Sequence, residues 1–148
     1  MRQTPFNLTS YISLLKSKMS SIFSKIVKGK IPCYKIAESE NYLAFLDVFP
    51  LTKGHTLVIP KKEIDYIFDI EDEEFAGLQL FSKKVAKAME KAISCKRIGV
   101  AVIGLEVPHA HIHLIPLNHV SDINFSSPKL NLPKEEMEDI ANKIRGEF

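Results

Sequence analysis

From Ser20 onward the apolar positions fall into short groups with two distinct periods. Phe23, Ile26 and Val27 share one side of a short helix that Gly29 ends, and Ile31-Pro32 starts an extended segment. Cys33 to Ala37 and Asn41 to Asp47 read as two strands about the polar turn Glu38-Ser39-Glu40. A turn over Pro50 to Gly54 leads to a third strand, His55 to Ile59, stopped by Pro60 and the Lys61-Lys62 pair. Asp72 to Ile93 is the clearest helix, because Phe75, Leu78, Phe81, Val85, Met89 and Ala92 recur at three- and four-residue steps. Acidic residues crowd its start and lysines its second half, which suits the helix dipole. Two further strands follow, Ile98 to Ile103 and Ala110 to Leu117, and then a polar loop from Asn118 to Leu130. Asn131-Leu132-Pro133 opens a last helix through Met137, Ile140 and Ile144. Runs of strands around one long helix predict an α+β fold on a mainly antiparallel, five-stranded sheet with short flanking helices.

Composition narrows the function classes. The chain has 148 residues, 45% of them hydrophobic and 26% charged, which indicates one domain, placed at 19–148. Residues 1–18 carry scattered Leu, Ile and Tyr without a period and read as an N-terminal extension. A chain of this size buries about 70% of its unfolded surface, so it needs neither disulfide nor metal to fold. Cys33 and Cys95 form no C-x-x-C pair; they read as half-buried thiols suited to a reducing, cytoplasmic compartment. A net charge of +2 is too small to imply a nucleic-acid partner. No acidic residue precedes Glu38, although seven lysines and arginines do, a pattern that fits a solvated basic end or, alternatively, a presequence. No stretch approaches the roughly 20 apolar residues that span a bilayer, so a soluble protein without a membrane partner is expected.

The candidate chemistry lies in the histidines. His109, His111 and His113 alternate, so on a strand they share a face, about 6.5–7 Å apart along it. Ala110, Ile112 and Leu114 then point the other way into a core, and a one-residue slip would bury all three imidazoles. A single such histidine is usually structural. Three between Pro108 and Pro116 bring six ring nitrogens that need partners or solvent, which points to function. Metal binding is one reading, since His-x-His on a strand can hold Zn²⁺ with His55 as a further ligand. Nucleophilic catalysis is the other and needs no metal or cofactor. An imidazole with a pKa near 6.5 attacks phosphorus to form a covalent phospho-histidine. Its neighbours, when protonated, can hold the phosphate charge or protonate a leaving group.

The run His109-Ala110-His111-Ile112-His113-Leu114-Ile115 resembles the His-φ-His-φ-His-φ-φ motif of the histidine triad (HIT) family. Three more blocks are similar to the family in order: Ile22 to Val27 with Gly29 and Ile31-Pro32, Leu43 to Val48, and Gly54 to Pro60. The resemblance implies a HIT-like fold and a nucleotide-binding hydrolase or transferase. Such an enzyme acts at the α-phosphate of nucleoside phosphoramidates, dinucleoside polyphosphates or related conjugates through a nucleotidyl-histidine. It implies His111 as nucleophile, His113 at the phosphate and leaving group, and His109 and His55 in support. Asp47 would bind the ribose hydroxyls, and Ile22, Phe23, Ile26, Phe45 and Val48 the base; core packing and, for Asp47, turn capping are the structural alternatives. Gly104, Glu106 and Val107 would border the nucleotide, and His119 matches nothing. A homodimer is implied too, and the alternation in Gly99 to Ile103 suits an edge that pairs across a two-fold axis.

Three departures qualify this picture. The family's Asn and Gln before the triad fall at Ile98 and Leu105, which keeps open a weakly catalytic nucleotide sensor or scaffold. Some bacterial members carry a Cys-x-x-Cys that completes a zinc site; here those positions are Ser21 and Ser24, against a zinc-binding reading. The Trp-containing tail of the phosphoramidase branch is absent after Leu117.

Overall fold

The computed structural model describes residues 7–9 and 20–148, so most of the expected extension at 1–18 lies outside the described residues. The elements are helix α1 (Ile22–Val27), strands β1 (Lys35–Glu38), β2 (Tyr42–Leu46) and β3 (Thr56–Pro60), helix α2 (Asp72–Ala92), strands β4 (Arg97–Ala101) and β5 (Ile112–Leu117), and helix α3 (Lys134–Gly146). Short 3₁₀ turns at Ile67–Asp69 and Val120–Ile123 punctuate the connections. The strands form one five-stranded antiparallel sheet, as expected for the α+β class, and their order is β1-β2-β3-β5-β4.

Local chemistry sets the boundaries. The Ser21 hydroxyl accepts the Ser24 N–H and caps α1. Gly29, at φ 73°, lets the chain leave that helix through the left-handed region. The α2 stripe packs as its spacing requires: Leu78, Val85 and Met89 are fully buried, and Phe75, Phe81 and Ala92 flank them. Met137, Ile140 and Ile144 bring α3 against the same sheet face, where Ala44, Val58, Ile112 and Leu114 wait. Cys33 and Cys95 are half-buried free thiols. No helix among the described residues is long and apolar enough to cross a membrane.

The opposite sheet face is also covered. Leu43, Phe45, Leu57 and Ile59 form a second core, closed by Phe23 from α1. His113 pairs with Leu57 across β3 and β5 and therefore shares this face. The expectation of a core face and an open histidine face thus needs correcting, because His109, His111 and His113 are 0%, 7% and 7% exposed. Strand ends differ as well. β5 begins at Ile112 rather than Ala110, because the Ala110 N–H turns away to the Ile64 carbonyl and the His109 N–H to that of Val107. β4 stops at Ala101 rather than Ile103; beyond it the chain loops out through Gly104, at φ 73°.

Candidate active site

Each imidazole in the cluster has its tautomer fixed by a group that can only donate or only accept. A backbone carbonyl can only accept, so His111 donates Nδ1–H to its own near neighbour, the His109 carbonyl, at 2.7 Å. That leaves the His111 Nε2 lone pair uncommitted among the described residues. His109 likewise donates Nε2–H to the Pro60 carbonyl (2.8 Å), so its Nδ1 accepts from the Ser21 hydroxyl (2.8 Å). Ser21, through its N–H, and Ser24, through its hydroxyl, both donate to Glu63 Oε1. The two serines at the Cys-x-x-Cys positions therefore join α1 to His109 and Glu63 by hydrogen bonds.

His55 and His113 form a second relay. The Leu51 N–H donates to His55 Nδ1 at 3.0 Å, which places the proton of His55 on Nε2. That proton goes to His113 Nδ1 at 2.9 Å, so His113 presents Nε2–H as a donor. The Leu51 amide sets the direction of the whole relay. A second proton on His113 would require His55 to turn its lone pair round and set its own Nδ1–H against the Leu51 N–H.

Burial reinforces that order. Desolvation, with His113 and Lys129 adding to it, pushes His55 down to about 3. Desolvation, with His111 and Lys129, pushes His113 down to about 4, and burial also lowers His109. Burial thus favours the neutral form of these three imidazoles at pH 7, and His113 offers a neutral N–H. The unfolded chain, with imidazoles near 6.5, takes up protons that the folded site refuses. The stability contributed by His55 and His113 is therefore full above about pH 6.5. It is lost as the pH falls through the folded values, about 4 and about 3. Each costs up to about 1.4 kcal/mol per pH unit in that window. Melting curves from pH 8 to pH 4 should show a level Tm above neutrality and a fall below 6.5, flattened in His55→Gln. A Tm unchanged down to pH 5 would contradict the neutral relay.

The remaining candidate residues divide into floor and rim. Phe23 and Phe45 are buried with ring centroids 5.6 Å apart, and the Phe23 ring lies 5.0 Å from that of His111. They form the floor of the site rather than an open slot. Ile26 and Val107 flank that floor half-buried, while Ile22 and Val48 are exposed at the rim. Asp47 accepts the Phe49 N–H through Oδ1, the turn-capping alternative, yet its Oδ2 also comes within 3.6 Å of His55 Nε2. Burial pushes its carboxyl up, against the Phe49 N–H and the charges of His111 and Lys129, and Glu106 is exposed. Gly104 and His111 line one cavity together with Tyr66, Phe68, Val102 and Ile103. His119 stays exposed in the following turn.

Sequence reasoning missed Leu51, Glu63, Phe125 and Lys129. Phe125 packs its ring 4.8 Å from that of His113, out of a stretch read as a polar loop. A lone aromatic in that loop was the available signal. Among the described residues one set of metal-ligating atoms converges, from Asp47, His55 and His113, all within 4.8 Å. Both His55 nitrogens are already engaged there, so a cation would have to break the His55–His113 hydrogen bond.

Comparison with known proteins places this geometry. Residues 28–120 match the model of the HIT domain. The chain is 38% identical over 133 residues to an adenosine 5'-monophosphoramidase of Schizosaccharomyces pombe, covering 86% of this chain and 100% of that protein. It is 38% identical over 96 residues to the adenosine 5'-monophosphoramidase of Saccharomyces cerevisiae, covering 64% of this chain and 61% of that protein. Among solved structures, a HIT-like protein from Bartonella henselae superimposes with a TM-score of 0.76 at 31% identity, covering 87% of this chain and 97% of that one. A zinc-bound histidine triad family protein from Mycobacterium smegmatis gives 0.75 at 30% identity, covering 87% and 93%.

Proposed function

The chain belongs to the HIT family, and from that premise we propose that it is a nucleotide-binding hydrolase that works through a nucleotidyl-histidine on His111. The observation that carries this reading is the uncommitted Nε2 of His111, aimed by the bond from its Nδ1–H to the His109 carbonyl. In the first step that nitrogen attacks the α-phosphorus, an N–P bond forms, and the bond to the leaving group breaks with its electron pair. The imidazole becomes cationic, and its Nδ1–H bond to the carbonyl strengthens as charge develops. A departing amine takes its proton from solvent. Water then displaces His111 from phosphorus, its oxygen bonding to phosphorus and one proton passing to solvent, which releases the nucleoside monophosphate and returns the neutral ring. His113 donates Nε2–H to a phosphoryl oxygen throughout; His109 and His55 are positioning residues. Asp47 binds the ribose, with Ile22, Ile26 and Val48 against the base, Phe23 and Phe45 beneath, and Gly104, Glu106 and Val107 along the border. The phosphoramidase names of the two yeast relatives support adenosine 5'-phosphoramidate as the first substrate to try. The unpaired Cys33 and Cys95 support a cytoplasmic setting.

The test is to mix the protein with adenosine 5'-phosphoramidate, quench in base within milliseconds and map the adduct by mass spectrometry. A nucleotidyl group on His111 together with release of the monophosphate is expected; turnover with no adduct on any histidine overturns the mechanism. One observation favours a second reading, a nucleotide sensor with feeble catalysis. Leu105 is 88% exposed and Ile98 packs on the core, so no polar side chain stands at either of these places before the triad. That reading predicts monophosphate binding with no measurable turnover.

The protein is further proposed to act as a homodimer. β4 is an edge strand with Val100 61% exposed, and Tyr66, Phe68, Ile103 and Leu105 add apolar surface near the His111 cavity. A second copy pairing along this edge would cover that surface and wall the cavity. Light scattering is expected to give twice the 16.7 kDa chain mass, and Val100→Glu to give a monomer. A monomeric native protein would end the dimer proposal.

A further inference from the structure

The segment after β5 is built as a strap across the relay. At one end the Asn118 and His119 N–H groups both bond to Asp122 Oδ2, and at the other the Leu130 N–H bonds to the Pro50 carbonyl at 2.8 Å. Between these anchors Phe125 covers the ring of His113 edge-to-face and reaches the ring of His55 at 6.3 Å. Lys129 Nζ lies 5.8 Å from the Phe125 ring centre and donates to the Phe125 and Ser127 carbonyls, at 2.6 and 3.2 Å. An ammonium has three protons, and two are spent on the strap itself, which leaves one to present. The Lys129 ammonium is thus held beside Phe125, whose ring lies 4.8 Å from that of His113, near enough for its charge to bear on Asp47, His55 and His113.

We infer that Lys129 is a specificity-determining residue that binds a phosphate on the leaving side of the α-phosphorus, so the site favours phosphoanhydrides over donors that release a neutral amine. This rests on the nucleotide reading above, in which His113, the imidazole that Phe125 covers, contacts the phosphate, and on the family resemblance, which implies that it also faces the leaving group. The chemistry agrees with it. When His111 attacks an anhydride, the P–O bond breaks and the departing phosphate keeps the electron pair as an anion. It needs no proton, and the relay has none to spare. What it needs is a cation, and Lys129 supplies one held in place by two carbonyls of its own strap.

The experiment separates binding from turnover. Calorimetry with AMP and ADP on the native protein should show ADP bound about tenfold more tightly, the equivalent of one partly shielded charge-assisted contact. Lys129→Met should erase the preference, Lys129→Glu should invert it, and Lys129→Arg, which keeps the charge, should preserve it. In turnover, Lys129→Glu should lower kcat/KM for a diadenosine polyphosphate about tenfold more than for the phosphoramidate. Equal changes for AMP and ADP, or loss of the preference in Lys129→Arg, would overturn the inference while leaving the nucleotide reading intact. Failure of the native protein to bind either nucleotide would overturn both.

Discussion

His111→Ala should lose turnover of adenosine 5'-phosphoramidate by about 10⁴-fold or more, the scale seen when a covalent enzyme loses its nucleophile. The argument is geometric. His109 and His55 have both ring nitrogens engaged, and His113 offers a proton rather than a lone pair. His111 alone among these four offers an unprotonated nitrogen, so no neighbour can substitute for it. The variant should fold with reduced stability: loss of the ring's hydrogen bond to the His109 carbonyl costs about 1–3 kcal/mol when that acceptor is left unpaired, and the packing on Phe23 goes with it. It should still bind AMP with an affinity within a few-fold of native, because the ribose and base residues are untouched. Steady-state kinetics beside calorimetry provides the check: a variant that keeps more than a hundredth of the native rate would remove His111 from the nucleophile's role.

Removing His55 should be nearly as damaging, although it stands one ring behind the reacting atoms. His55→Leu strips the Leu51 N–H of its acceptor in a buried setting, which costs about 1–3 kcal/mol. It also frees His113 to adopt the other tautomer, and that tautomer points a lone pair at a phosphoryl oxygen instead of an N–H. Losing one aligned donor to developing negative charge is worth roughly 10²–10³ in kcat. The expected signature is a fall in kcat with little change in KM. ¹⁵N shifts of the His113 ring should show the proton redistributed between Nδ1 and Nε2. His55→Gln keeps a side-chain donor toward His113 and should recover part of the rate. A His55→Leu enzyme with native kcat would show that the relay is structural only.

Much of this was legible in the sequence, for identifiable reasons. The period of α2 survived because five turns of one stripe leave no other packing face. Short turns at Ser39 and at Pro50 to Gly54 leave β1, β2 and β3 antiparallel neighbours, whereas the insertion of β5 between β3 and β4 was not legible. The triad was legible because its spacing is local. The other partners were not, because they are long-range: Glu63 lies 39 residues from Ser24, and Phe125 reaches His113 from beyond the end of its strand. Alternation also misled on exposure. It reports that two faces differ, but not that the second one is roofed by a helix as short as α1. Asp47 shows a further limit, since one carboxylate caps a turn and reaches toward His55 at once.

The protonation pattern of this site is written in the main chain. The carbonyls of Pro60 and His109 and the amide of Leu51 decide which nitrogen of each ring bears hydrogen, and a peptide group is the same whatever side chain it carries. Substitution at Leu51, or at the exposed Ile22 and Val48, therefore leaves these proton positions unaltered so long as the backbone path holds. Such a scaffold lets substrate preference drift freely while the chemistry stays put. The strap bearing Phe125 and Lys129 is where that freedom would be used first.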